Sequence, residues 1–527
     1  MKGMSSMLHA LYIGSSSACF ELENSTSYFA PFSYDLALDG ERLTHGNTNV
    51  LSLFDLQPDR QYTLTLFQGE EQIDYPFRTT KESCALDIRA FGAKGDGITD
   101  NTQAIQNAIS FTPAGVRLVF PEGVYLTRPL ALRSHITLEL QSGAVLLGCP
   151  DRQQYPILPG TAANLNQAEE IMIGAFEGLT RPMYQSLIHA SYCEDIAIVG
   201  EGVVDGNAQN SDFWTEHKNF PTARPRLMFF NNCKNVTLHG ITGMNSPSWN
   251  LHPFYCENVS FYDVKIQAPK DSPNTDAIDP EACKGVNIIG CRLSVGDDCI
   301  AIKSGKLELC RMRNQSASHH TIRNCLMEFG HGAVTLGSES ACGVKELAVT
   351  RCLFSHTDRG LRIKTRRGRG KDCHITGIVF ENIKMDQVIT PVVINMWYNC
   401  CDPDRFSDYV KCRTALPVDD RTPHLGAFTF RDIECTGAHA AACYIDGLPE
   451  APIDQVTFEN VHISFDKNAR PFVPAMQNDS SPKCRLGLYF NHVSRVIVQN
   501  VTVQGAEGPA LITENCDQVD ASSLIEE

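Results

Sequence analysis

The feature that most constrains this chain is one short pattern that returns along its length: CKNVTLHGIT, CENVSFYDVK, CKGVNIIGCRL, HHTIRNCLM, VKELAVTRCLF, ITGIVFENIK, IDQVTFENVHI and VSRVIVQNVTV. Each segment alternates apolar and polar residues as a short strand does. Val236, Val259 and Val286 hold matching places in three of them. A unit this short cannot bury a face alone, so the units must stack, strand upon strand, around a continuous apolar interior. The fold expected is mainly β, a right-handed parallel β-helix, with an ordinary β-sandwich as the alternative. Cysteines recur in the same context at Cys233, Cys256, Cys291, Cys325 and Cys352, which suits small apolar thiols stacked at one equivalent position. The 21 cysteines are odd in number and lack close CxxC pairs, so zinc and redox motifs are not indicated. That usage favours a reducing compartment and a cytoplasmic protein. Export through an unrecognised signal is the alternative, because the apolar patch 7–14 is interrupted by His9.

Two units are expected. Residues 1–82 carry strand-like FELEN, TNVLSLFDL, YTLTLF and IDYPFRTT between polar turns, a small β-sandwich of fibronectin type III character. Its LQPDRQY stretch, Leu56 to Tyr62, resembles a tyrosine corner, in which the hydroxyl bonds back to the chain. Residues 83–527 form the β-helix, opened by a short amphipathic helix over about 101–110 that Thr99 or Asp100 can cap. No run of residues approaches a membrane span.

The net charge of -16 argues against a nucleic-acid partner and would repel an acidic polymer overall. Any anionic substrate must be drawn in by local cations, and the one dense basic run is RIKTRRGRGK, Arg362 to Lys371. Upstream of it lie Asp276 in Asn274-Thr275-Asp276, the pair Asp297-Asp298 in GDDCIAIK, and His331 between Gly330 and Gly332. Acids, an imidazole and two fixed cations in this order suit hydrolysis of an acidic polysaccharide. Residues one coil apart lie about 4.8 Å from each other along a solenoid, so His252, Asp276 and Asp297 are expected to form one column. Asp297 and Asp298 would point to opposite faces of a regular strand, so both reach a cleft only if a bend or bulge falls there. Arg362 and Lys364, two apart, share a face, with Ile363 turned into the core. Asp205 and Asp279 read as turn and ladder residues.

With NTD, GDDCIAIK, GHG and RIK in that order, the chain resembles the polygalacturonases of glycoside hydrolase family 28 over nearly everything from Cys84 onward. The segments RPRLMFFNNC, NSPSWNLHP and TDRGLRIKTRRGRGK, with the N-terminal sandwich, make it most similar to bacterial exo-acting members. The resemblance implies inverting hydrolysis of α-1,4 bonds in oligogalacturonate or homogalacturonan, with no cofactor and no metal. It implies Asp297 as general acid, and Asp276 with Asp298 as the pair that binds and deprotonates water. His331 is expected to hold the acid protonated and oriented, and Arg362 and Lys364 to meet the substrate carboxylate. Tyr398, with Trp397 as its neighbour and competitor, resembles the aromatic residue that the family places near the bond being cut. Asn274, and Trp249, Asn250 and His252 one coil earlier, are expected to line the cleft. The insertions 148–185 and 399–424 could close one end of the groove and favour exo action. The alternatives are a rhamnogalacturonan or xylogalacturonan hydrolase, a pectate lyase, or a non-catalytic pectin-binding solenoid.

Overall fold

The computed structural model describes residues 8–163, 170–216, 221–399, 407–477 and 479–526. Among these, two antiparallel sheets come first. One joins Leu8–Ile13, Ala18–Leu22 and Val50–Leu53, the other Glu41–Thr48, Phe29–Leu38, Gln61–Gln68 and Glu71–Arg78. Phe20, Leu36, Leu64, Leu66 and Phe77 fill the space between them as a separate core. The Tyr62 hydroxyl accepts from the Gln57 N–H at 2.8 Å, the bond back to the chain expected of the corner.

The helix begins slightly later than expected, at Thr102–Phe111. Its N-cap, Asn101, makes no side-chain cap bond; Asp100 Oδ1 takes the Thr102 N–H at 3.0 Å instead. Ile105, Ala108 and Ile109 seal the first end of the solenoid interior.

Beyond it the repeats stack as a parallel β-helix. A 24-stranded sheet runs from Cys84–Asp87 to Leu524–Glu526, and Val236, Val259 and Val286 pair directly in it. The alternation works as the pattern requires: Leu238, Phe261 and Ile288 lie inside with those valines, and the residues between point outward. The coil corners need left-handed backbone, which explains the Asn before Val in CKNV and CENV. Asn235 and Asn258 sit there at φ 54° and 56°, and Asn258 Nδ2 donates to Asn235 Oδ1.

The cysteines stack, but in two ladders at different corners. Cys233 N–H meets Cys256 Sγ and Cys256 N–H meets Cys283 Sγ, at 3.3 and 3.4 Å. Cys291, Cys325 and Cys352 build the second ladder one strand further round each coil. The single equivalent position expected from sequence was wrong, because cysteines before and after the same strand share a similar local pattern.

The sandwich is seated on the solenoid. Glu21 accepts bonds from Arg323, Asn324 and Arg351, and Val50 and Cys19 pack on Ile289. His239 lies between Ser17 and Ser52, where burial pushes its pKa down to about 3. The basic run is not a charged surface loop: Arg362, Arg366, Arg367 and Arg369 are buried, and Arg367 is clamped by both oxygens of Glu450.

A second parallel face carries the chemistry. Four strands end at Leu251–Phe254 and seven begin at Ile300–Ile302, joined through the isolated bridges Leu251↔Ile278, Phe254↔Glu281, Ile278↔Ile300 and Glu281↔Lys303. Asn274, Asp276 and Asp279 fall in this interruption of the regular ladder. The next coil bends at Gly296 and Asp297 just before Ile300–Ile302.

Candidate active site

Those bridges set the register. Counting back from Ile278↔Ile300, Asp276 is level with Asp298, and counting on from Leu251↔Ile278, His252 is level with Asp279. The expected column of His252, Asp276 and Asp297 is therefore out of phase. Asp297 joins the cluster through the bend at its own position, which releases the pair from strand alternation. Carboxylate oxygens of Asp276, Asp297 and Asp298 all come within 4.8 Å of one another.

The three acids are not alike. Asp298 is 1% exposed, and Arg362 Nη1 donates to its Oδ1 at 3.0 Å while Lys364 Nζ donates to its Oδ2 at 2.9 Å. Burial raises this carboxyl, but Lys364 and Arg362 outweigh burial and hold it well below the usual range, so it is ionised. Asp276 is also buried, its Oδ1 has no hydrogen-bond partner, and burial with the neighbouring Asp297 and Asp279 drives its pKa well up. Asp297, 21% exposed, is the acid that faces the cavity beside the cluster. Three carboxylates at this spacing could in principle hold a cation, but both Asp298 oxygens already face cations that would repel one.

His331 Nδ1 lies 3.1 Å from Asp297 Oδ1, and that bond raises the imidazole pKa. The structure thus places His331 against Asp297, the group it was expected to orient. The bond makes the two groups one hydrogen-bonded pair at the edge of the site. Gly332 is required next to it, since a Cβ there would stand 2.9 Å from Asp298 Oδ1 and 2.3 Å from Thr335 Oγ1. At Gly330 the backbone is left-handed, φ 69°, and a Cβ would meet Asp297 O at 2.7 Å.

On the N-terminal side of Asp297 and His331 opens a cavity of about 790 Å³. Phe176, Arg181, Arg224 and Lys270 are among its lining residues. The ribbon of Ala175–Phe176 with Leu179–Thr180 and the residues after it put Phe176, Glu177, Arg181 and Pro182 into the lining, so part of the first insertion borders the site. The described parts of 399–424 and of the sandwich contribute nothing to the cavity lining.

Residues 175–481 match the model of glycosyl hydrolases family 28. The chain belongs to this family. Residues 85–170 match a second model, described as rhamnogalacturonase A/epimerase, pectate lyase-like. A probable polygalacturonase of Vitis vinifera is 30% identical over 393 residues, 72% of this chain and 74% of that protein. A hyperthermoactive exopolygalacturonase from Thermotoga maritima superposes with a TM-score of 0.61 at 26% identity, covering 74% of this chain and 89% of its own. The family 28 exopolygalacturonase of Yersinia enterocolitica has the same fold across 97% of this chain and 98% of its own, with a TM-score of 0.71 at 19% identity.

For a family 28 enzyme, the residues expected from sequence divide cleanly. Asp276, Asp297, Asp298, His331, Arg362 and Lys364 converge, and Ile363 points into the core. Asn274 is close, its Nδ2 3.5 Å from Asp297 Oδ2. Tyr398 packs with its ring centre 5.6 Å from Lys364 Nζ, whereas Trp397 is a core residue between Arg367 and Arg413. Trp249 and His252 do not line the cavity. His252 is fully buried with Nε2 3.0 Å from Glu281, and the Trp249 ring is covered by Lys303 and Arg226. Asn250 is equally buried and holds the Thr275 and Asp276 carbonyls. Asp205 is the turn residue expected, bonding Asn207 N–H and Asn245.

Sequence reasoning missed a buried charge network beneath the acids. Lys303 Nζ lies 3.4 Å from Asp279 and 3.6 Å from Glu339. Burial lifts Asp279 to about 7 and Glu281 to about 8; for Glu339 burial is outweighed by Lys303, and the group falls to about 2. Lys303 ends the GDDCIAIK motif, but nothing local says that its amine turns inward to partners on neighbouring coils. Arg224 was also missed.

Proposed function

We propose that this family 28 enzyme is an exo-acting polygalacturonase, cleaving α-1,4 bonds between galacturonic acid residues by inverting, metal-independent hydrolysis. The observation that carries the reading is the division of labour in one acidic cluster. Both Asp298 oxygens are held by Arg362 and Lys364, which favour its ionised form, while the hydrogen-bonded pair Asp297–His331 faces a walled cavity. In this reading Asp297 protonates the glycosidic oxygen, and Asp298, with Asp276, orients the water and takes its proton. Carboxyls this close would suggest a retaining enzyme by separation alone. Against that, both Asp298 oxygens are engaged by Arg362 and Lys364, which makes the group a poor nucleophile but a well-placed water holder. The wall that Phe176, Glu177, Arg181 and Pro182 add to the cavity supports removal of units from a chain end. We further place the enzyme in the cytoplasm, acting on imported short oligogalacturonates; the free thiols of both ladders support a reducing compartment. Assaying the activity in cytosolic and exported fractions checks that placement.

The test is a time course on saturated trigalacturonate with EDTA present, read by chromatography, by ultraviolet absorbance and by ¹H NMR of the first anomer released. Small end products from the outset, without unsaturated product and with inverted configuration, are expected. A retained anomer would overturn the mechanism, a ladder of mid-sized fragments from a longer substrate would overturn the exo mode, and EDTA inhibition would restore a metal.

A further inference from the structure

Arg224 is 94% buried, its relative exposure being 6%, yet it lines the cavity. Its guanidinium is fixed on one side. Nη1 faces the carbonyls of Pro247 at 2.7 Å, Pro273 at 3.1 Å and Phe213 at 3.5 Å, and Nη2 donates to Asn274 Oδ1 at 2.6 Å. Arginine has five N–H donors, so this arrangement leaves the Nε–H and one Nη2–H available. Among the described residues no carboxylate makes an ion pair with it, in contrast to Arg362 and Lys364, which both serve Asp298. Burial lowers its pKa to about 10, which leaves it charged at neutral pH, and the acid nearest in electrostatic effect, Asp276, is itself driven toward the neutral form. A buried, rigidly held cation without a counter-ion beside a cavity is a preorganised anion site.

We propose that Arg224 binds the carboxylate of the terminal galacturonate residue in the cavity and is the residue that makes the enzyme select a uronate there. The inference rests on the polygalacturonase reading for its substrate class. Arg224 also ties that recognition to the chemistry, since Asn274, which it holds, reaches Asp297 at 3.5 Å. A neutral sugar in the same place would leave the guanidinium desolvated and unmatched, which disfavours it. Arg181, exposed on the cavity wall, and Lys270, lying over the Phe329 ring, add positive charge at the mouth.

The experiment is equilibrium binding by calorimetry of D-galacturonate and of D-galactose, which carries a hydroxymethyl group in place of the carboxylate. Each is titrated into wild type, Arg224→Gln and Arg224→Lys. Wild type should prefer galacturonate by about tenfold or more, the scale of one charged hydrogen bond. Arg224→Gln should erase the preference, and Arg224→Lys, which keeps the charge on the carbonyl shelf, should keep part of it. A folded Arg224→Gln protein with the wild-type preference, or a wild type with none, overturns the proposal. If the glutamine variant does not fold, the lysine variant decides: an undiminished preference there overturns it. Because binding is read without turnover, a wild type that prefers galacturonate but leaves trigalacturonate uncut would sink the polygalacturonase reading and leave Arg224 standing.

Discussion

Asp297 and Asp298 are adjacent in sequence and chemically close, yet replacing each by asparagine should have different consequences. Asp298→Asn removes the carboxylate that bridges Arg362 and Lys364, at 3.0 and 2.9 Å. At an effective dielectric constant of about 20, each contact is worth roughly 5.5 kcal/mol before desolvation is counted. Breaking a buried pair by removing one partner costs about 3–5 kcal/mol net. Asp298→Asn should therefore lower stability by that amount and also abolish water activation. Asp297→Asn loses one contact to a half-exposed histidine, a matter of about 1 kcal/mol or less, while removal of the acid lowers kcat by about 10²–10⁴-fold. The assay is thermal and urea unfolding of both variants at fixed scan rate, alongside kcat on trigalacturonate. The pH dependence supplies an internal check. Asp298 is depressed in the folded state, so its contribution is fully present above the unfolded value of about 3.9 and fades as pH falls below it. The stability gap between wild type and Asp298→Asn should accordingly narrow below about pH 4. Equal stability of the two variants at pH 7 would refute the ion-pair reasoning.

Three further outcomes follow from the same geometry. In His331→Gln the alkaline limb of the kcat profile should move to lower pH, because the site then lacks an imidazole whose pKa is raised by its Asp297 bond; an unmoved limb would remove His331 from the titration. Gly332→Ala should lower kcat at least tenfold, by roughly 1.4 kcal/mol or more, through contact with Asp298 Oδ1, and a variant as active as wild type would show that the close approach is not needed. Glu21→Ala leaves Arg323 and Arg351 without their shared counter-charge between sandwich and solenoid, at a cost of about 3 kcal/mol. Limited proteolysis near residue 80 should accelerate while kcat is preserved, since no described sandwich residue lines the cavity; a drop in kcat would mean that the sandwich shapes the site.

The solenoid was readable from the amino-acid order because its cause is local. Alternation at Val236, Val259 and Val286 decides which side chains face inward, whatever the rest of the chain does. The ordered motifs from Asn274 to Lys364 likewise lie on successive coils, so their convergence follows once the coils stack. Which acid stands beside which could not be read this way. Asp276 meets Asp298 because the ladder is interrupted around Ile278, and Asp297 reaches the cluster because the chain bends at Gly296. The fates of the charged residues were equally hidden: Arg367 pairs with Glu450, Lys364 with Asp298, and His252 with Glu281, each partner coming from another coil. A charge is exposed or buried according to partners distant in sequence, whereas apolar alternation needs no partner to be recognised. Fold and the order of the motifs were therefore set by the sequence alone. The register, the ionisation of each carboxyl and the free charge on Arg224 were decided only when the coils closed on one another.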